Sequence, residues 1–127
     1  MNNRISNKER ANNFEIKKKD EFIVIEIKTQ RFDLKISKSL QELVCELIEE
    51  KRHKLILDFN TVNFLDSSGL GVLVFLTNSY KQDNGFAIFN INSFVIKDLL
   101  NLTRMDEFLN IHNTYDECVN SILNLEA

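Results

Sequence analysis

Apolar residues along this chain come in short blocks, some spaced by two and some by three to four, separated by polar breaks. FEIKK (14–18) and FIVIEIKT (22–29) predict a β-hairpin. The second run is β-branched with apolar residues on both faces, which predicts an interior strand. Gln30 to Lys35 connects it to a helix over Ser37–Arg52, whose inward stripe is Ile36, Leu40, Leu43, Val44, Leu47 and Ile48. Ser37, or Ser39 with Glu42 as a capping box, would begin that helix. LILDF (55–59) reads as a short buried strand. Leu70 to Leu76 is almost wholly apolar and reads as a buried helix that follows a polar turn and runs to about Lys81, ended by Asp83-Asn84-Gly85.

FAIFNI (86–91) reads as a further buried strand. Ser93 starts a helix to about Leu102, with Phe94, Val95, Leu99 and Leu102 expected inside. A short last strand covers Phe108–Ile111, with His112 at its end. Thr114-Tyr115-Asp116-Glu117 is a capping box in sequence and opens a terminal helix with Tyr115, Cys118, Val119, Ile122 and Leu123 inward. Residues 1–13, polar and aperiodic, read as a disordered tail. The order ββαβαβαβα predicts an α/β domain over 14–127. Its sheet should be mixed but mainly parallel, packed with helices, with the hairpin adding one antiparallel strand.

Between the central strand and the buried helix lies Asp66-Ser67-Ser68-Gly69-Leu70-Gly71, which holds two of the three glycines in the chain. A strand, a polar turn and a helix in that order lift both serines to a helix N-terminus. Unpaired N–H groups there favour a capping side chain and tolerate a phosphate. Read alone, Asp66-Ser67-Ser68 is an N-cap. Asp58 in the strand and Asp66 in the turn read as local hydrogen-bonding groups, not as an acid/base pair.

Composition narrows the function. The net charge of −3 argues against nucleic acid as the main partner, and the nearest thing to a basic patch, Lys17-Lys18-Lys19, is followed at once by Asp20-Glu21. No apolar run reaches the ~18 residues of a spanning helix, and no secretory leader is legible, so no membrane association and a cytoplasmic location are expected. Cys45 and Cys118 fall on apolar helix faces, read as buried thiols, and lack metal-ligand or redox spacing. No cofactor or metal is expected. His53 and His112 are the only histidines, and the Gly-x-Ser-x-Gly elbow of a serine hydrolase is absent, so no enzyme is expected.

Leu57-Asp58-Phe59, Val62, Phe64 and then Asp66-Ser67-Ser68-Gly69-Leu70-Gly71-Val72-Leu73 resemble the signature of STAS-domain anti-sigma factor antagonists. The stretch Leu99–Val119 is similar to the family's ending. The resemblance spans about Phe14 to Leu125 and implies the STAS fold.

It also implies a partner switch. The unphosphorylated antagonist would bind a GHKL-type anti-sigma factor serine kinase, phosphorylation would release it, and a PP2C-type serine phosphatase would restore the binding form. Carried onto this chain, the acceptor is Ser67, and Asp66, Ser68, Gly69, Leu70, Gly71 and Asp33 are motif and partner-binding residues. Leu65, Val72 and the exposed side of the helix after Ser68 are the expected docking surface. Gln30-Arg31-Phe32-Asp33 keeps the Asp of a family Gly-apolar-Asp pattern but lacks its glycine. The family's frequent proline at the first helix is missing, and Arg104 stands where many relatives have glycine. The rival within the family is a non-switching STAS scaffold or a lipid-transport complex subunit.

Overall fold

The computed structural model describes residues 7–51, 53–82 and 85–123. Strands β1 (Phe14–Lys19) and β2 (Phe22–Ile27) form the antiparallel hairpin, turned by Asp20 at a φ of 56°. The lysine run lies at the exposed end of β1, and Lys19 Nζ sits 4.6 Å from the Tyr115 ring centroid. Strands β4 (Lys54–Asp58), β6 (Phe86–Phe89) and β7 (Ile111–His112) extend the sheet in parallel, in the order β1-β2-β4-β6-β7. The α/β class and the mainly parallel sheet are as the alternation of periods implies.

The period of two sorts side chains between two cores. Ile23, Ile25, Ile27, Leu55, Leu57 and Ile88 face the larger core, which is closed by α2 (Leu34–Glu50), α3 (Ser67–Ser79) and α4 (Phe94–Leu102). Val24, Ile56, Ala87 and Phe89 face the other side, where α6 (Tyr115–Leu123) covers them with Cys118 and Ile122. Cys118 donates to Ile88 O at 3.7 Å, and burial pushes its thiol up to about 12. Cys45 is exposed, not buried as its helix stripe suggests. It sits beside the Leu43–Val44 stripe without belonging to it. Thr114 and Glu117 do cap α6: Glu117 N donates to Thr114 Oγ1 at 3.1 Å, and Asn113 N donates to Glu117 Oε1 at 2.9 Å.

Several elements depart from the sequence reading. Helix α1 (Asn7–Asn13) occupies part of the expected tail, held to α2 where Arg10 Nη1 donates to Glu46 Oε1 at 3.0 Å. Residues 1–6 of that tail lie outside the described residues. Neither Ser37 nor Ser39 caps α2. Asp33 does, accepting from Ile36 N, while both serines are buried and donate back to the carbonyls of Asp33 and Lys35. The helix ends at Glu50, and Arg52 is outside the described residues. Helix α3 stops at Ser79 with Tyr80 as C-cap, short of Lys81, and Asp83-Asn84 are likewise outside. Strand β6 ends at Phe89, before Ile91.

The clearest correction is α4, which is rotated: of the four residues expected inside, Leu99 packs against the core. Ile96 and Leu100 are buried while Phe94, Val95 and Leu102 are 81%, 67% and 74% exposed. Apolar residues surround most of this helix, so periodicity does not fix its rotation. The Ser93 cap, whose Oγ accepts from Ile96 N at 3.3 Å, belongs to the observed phase. The expected strand over Phe108–Ile111 is instead the end of a helical turn, α5 (Met105–Phe108), a buried Leu109, and then β7.

Arg104 enters α5 at φ 61°, ψ 18°, a left-handed conformation that costs a side-chain-bearing residue about 1 kcal/mol. Glycine adopts this conformation without that cost. Arg104→Gly is expected to leave stability unchanged or raise it by up to about 1 kcal/mol, because relief of strain outweighs or balances the freer unfolded chain. Arg104→Val is expected to lose about 1 kcal/mol or more. Urea denaturation of the two variants checks both signs.

Candidate functional site

Two strands that the sequence pattern does not reveal build the site. β3 (Arg31–Phe32) and β5 (Phe64–Leu65) pair in parallel, Arg31 with Phe64 and Phe32 with Leu65. Gln30 O accepts from Asn63 N at 2.8 Å and from Phe64 N at 3.1 Å, and Phe32 O accepts from Asp66 N at 3.4 Å. Upstream, Asp58 Oδ1 accepts from Asn60 N at 2.9 Å and Asn90 Nδ2 at 3.0 Å, fixing the loop that delivers β5. This is the local hydrogen-bonding role expected of Asp58.

Each short strand runs into an aspartate that caps a helix. Asp33 caps α2 at φ −105°, ψ −169°, and Asp66 caps α3 at φ −103°, ψ −175°. The strand pairing sets these two caps side by side, although 33 positions separate them in sequence. Asp33 therefore does join the Asp66–Gly71 turn, as a neighbouring cap. The matching strings Phe32-Asp33-Leu34 and Leu65-Asp66-Ser67, apolar-Asp before a helix, were the available signal.

The two serines have different fates. Asp66 Oδ1 accepts from Ser68 Oγ and, at 3.0 Å, from Gly69 N. The Ser68 hydroxyl, then the Gly69 N–H, and also the positive charge of Arg31 hold the Asp66 carboxyl below the usual carboxylate range. Ser67, at the first helical position, is exposed, and no hydrogen bond among the described residues engages its Oγ. Neither histidine reaches the serines. His53 Nδ1 lies 2.8 Å from Lys51 O and His112 Nε2 lies 2.8 Å from Asn110 Oδ1.

The two glycines divide in the same way. A Cβ on Gly69 would stand 2.5 Å from Leu65 Cδ1 and 2.7 Å from Phe32 O, and the second is backbone that cannot swing aside. A Cβ on Gly71 would meet nothing within 4 Å. Leu65 and Val72 are buried at 6% and 4%, so they belong to the core and not to the expected docking surface. The outward face of α3 is Ser67, Gly71 and Phe75, with Leu70 half-buried beside them. Ser93 Oγ, 3.5 Å from Asn63 O, brings the exposed start of α4 to the same rim. There, Phe94, Lys97 and His112 line a cleft of about 510 Å³.

A family model for the STAS domain matches residues 13–118. The chain belongs to the STAS-domain family. Three solved structures illustrate its fold. An anti-sigma factor antagonist from Mycobacterium paratuberculosis is 18% identical, with a TM-score of 0.74 over 86% of this chain and 92% of that one. The anti-sigma factor antagonist SpoIIAA in its unphosphorylated form is 16% identical, with a TM-score of 0.70 over 90% of this chain and 99% of that one. A sulfate transporter family protein from Wolinella succinogenes is 18% identical, with a TM-score of 0.65 over 84% and 88%.

No helix of this STAS domain, among the described residues, is long and apolar enough to cross a membrane. No cluster of three or more potential metal ligands occurs among them.

In this STAS domain the Gly69 and Gly71 sites separate fold from surface. Gly69→Ala is expected to destabilise by about 2 kcal/mol or more, as overpacking against rigid backbone does. Gly71→Ala is expected to stabilise by about 0.5–1 kcal/mol through helix propensity alone. Chemical denaturation resolves a difference of that size.

The Asp66 cap sets a pH dependence. Its folded-state pKa is depressed, so its contribution is fully present above the ordinary value of 3.8 and is lost as pH falls through the lowered value. Asp66→Asn keeps a capping oxygen but not the charge. Wild type should exceed this variant in stability above about pH 4, and the gap should close on acidification, as urea titrations at stepped pH would register.

Proposed function

We propose that this protein is an anti-sigma factor antagonist that works by partner switching in the cytoplasm, with Ser67 as its phosphoacceptor and residues 14–127 as its working domain. One observation carries the reading: of the two adjacent serines, Ser68 is bound to the cap and Ser67 stands exposed with its hydroxyl unengaged. The partner is a GHKL-type anti-sigma factor serine kinase, bound by the unphosphorylated form. Transfer forms a bond between Ser67 Oγ and the γ-phosphorus of ATP and breaks the bond to the bridging oxygen, releasing ADP. The serine proton passes to a base on the kinase. A PP2C-type serine phosphatase hydrolyses the ester and restores the binding form.

Charge explains the direction of the switch. The phosphate brings about −1.5 to −2 charges at pH 7 beside Asp66, whose carboxyl is already ionised. Inside a docked surface that charge must be desolvated or face the partner's own acidic groups, and either weakens the complex. Ser67 lies outside the hydrogen bonds that hold the turn, so the charge is added without dismantling the cap. Gly71, one turn further along the exposed face, leaves room for a partner to approach α3 closely, which gives a use to a glycine the fold does not need.

The rival reading is a STAS scaffold that does not switch, or a subunit of a lipid-transport complex. The similarity to a sulfate transporter family protein keeps transport-associated roles within the fold's range. The unengaged Ser67 hydroxyl favours the switch.

Pull-downs from lysate of the source organism with wild type, Ser67→Ala and Ser67→Asp, read by mass spectrometry, distinguish the two. Wild type and the alanine variant are expected to retain a GHKL-type kinase, and the aspartate variant to recover at least tenfold less. Identical recoveries from all three would make Ser67 an ordinary first-turn residue and put the scaffold reading first.

A further inference from the structure

We propose that Arg31 is the counter-ion that this protein supplies, within its own chain, to a phosphoserine at position 67. The inference rests on the reading of Ser67 as phosphoacceptor and concerns where the phosphate goes once it is attached.

Arg31 is held on a platform. It opens β3 opposite Phe64 of β5, with its guanidinium carbon 3.8 Å from the Phe64 ring centroid. A planar, weakly hydrated guanidinium can keep a ring against one face while its edge donates N–H bonds to an anion. No ion pair among the described residues engages that edge. Stacking also restricts the side chain before any anion arrives, so less freedom is lost on pairing.

The backbone aims the platform at the turn. β5 continues in extended form through Asp66, so Phe64 and Asp66 project to one face, separated by about 6.7 Å along the strand. Arg31 is paired with Phe64 on that face, which places it on the strand pair that ends at Asp66, one residue before Ser67. Its charge already acts at this distance, contributing to the lowered pKa of Asp66. Asp66 cannot take Arg31 as a full partner, because its Oδ1 is committed to Ser68 and Gly69. A phosphate on Ser67 offers two negative charges and three oxygens, and outcompetes a single capped carboxylate for bidentate pairing.

Other charged groups surround the turn. Asp66 and Asp33 cap α3 and α2, Lys35 is exposed on the first turn of α2, and Lys97 and Asp98 lie on α4 beside Phe94. Of these cations, only Arg31 is stacked on the strand that leads into Ser67. Phosphorylation then changes two surface features together: it neutralises Arg31 and draws it off, or closes it over, the Phe64 ring.

The test uses the full chain with phosphoserine genetically encoded at position 67, titrated by phosphorus-31 NMR between pH 4 and 8. Encoding the ester makes the result independent of any kinase: failure of the switch reading appears in the pull-down, failure of this inference only in the titration. A nearby cation favours the dianion, so the second phosphate pKa, ordinarily about 6, is expected to be depressed in the otherwise wild-type protein. Arg31→Gln is expected to raise it by about half a unit to one unit. Phe64→Leu, which keeps the cation and removes its platform, is expected to give part of that rise. Lys35→Gln is expected to give less than half of it. An unchanged pKa in Arg31→Gln overturns the proposal. So does an equal rise in Lys35→Gln, which would show a diffuse field in place of a specific pair.

Discussion

Helix α3 lies so close to strand β3 that only a glycine fits between them. The atom that forbids a side chain at Gly69 is the carbonyl oxygen of Phe32, and that same oxygen accepts the N–H of Asp66. Phe32 is itself fully buried, tilted against Phe59 with ring centroids 5.7 Å apart. One peptide group therefore positions the cap, the start of the helix and the end of β5 together. Because the packed side of that contact admits no slack, the opposite side of the turn has a defined outward direction, and Ser67 occupies it. The exposed position is set by what is buried behind it.

This accounts for the pairing of similar residues with dissimilar roles across Asp66–Gly71. Ser68 and Gly69 face inward, toward the Asp66 carboxylate and the Phe32 carbonyl; Ser67 and Gly71 face outward. A helix turns about 100° per residue, so neighbours in the motif fall on different sides of α3, and residues four apart share one. The inward pair is needed by any protein that folds this way. The outward pair costs the fold something, since a surface glycine in a helix is about 1 kcal/mol worse than alanine. The docking proposed on α3 gives that cost a use.

The sheet and its main helices were legible because their periodicities are unambiguous: FIVIEI and LILD leave no freedom in where they go. The Asp66 turn was legible as chemistry, since an aspartate before Ser-Ser-Gly states a cap. The two-residue strands were not, because two residues carry no period, and with them went the Arg31–Phe64 stack. Asp33 was singled out by resemblance but its capping role was assigned to Ser37 or Ser39, serines that the helix interior instead ties to backbone carbonyls. α4 was placed correctly along the chain and rotated wrongly. Six apolar residues in nine positions, Phe94, Val95, Ile96, Leu99, Leu100 and Leu102, define no single stripe, and only the tertiary contacts of Ile96 and Leu100 choose one.

That rotation matters to how a signal at Ser67 is read. The Ser93–Asn63 contact joins the start of α4 to the loop feeding β5, so the apolar surface at Phe94 and the hydroxyl of Ser67 lie on one rim of the domain. A partner seated on the rim would bury apolar area from α4 while covering a position whose charge can change by nearly two units. Apolar burial is indifferent to phosphorylation, whereas desolvating a phosphate is strongly unfavourable. On the proposed reading the two terms would do separate jobs: the α4 surface would set how tightly a partner binds, and Ser67 whether that binding is available. Since Ser67 contributes nothing to the Phe32–Gly69–Asp66 contact, the proposed phosphate there would leave the scaffold standing and would be felt by whatever covers the rim.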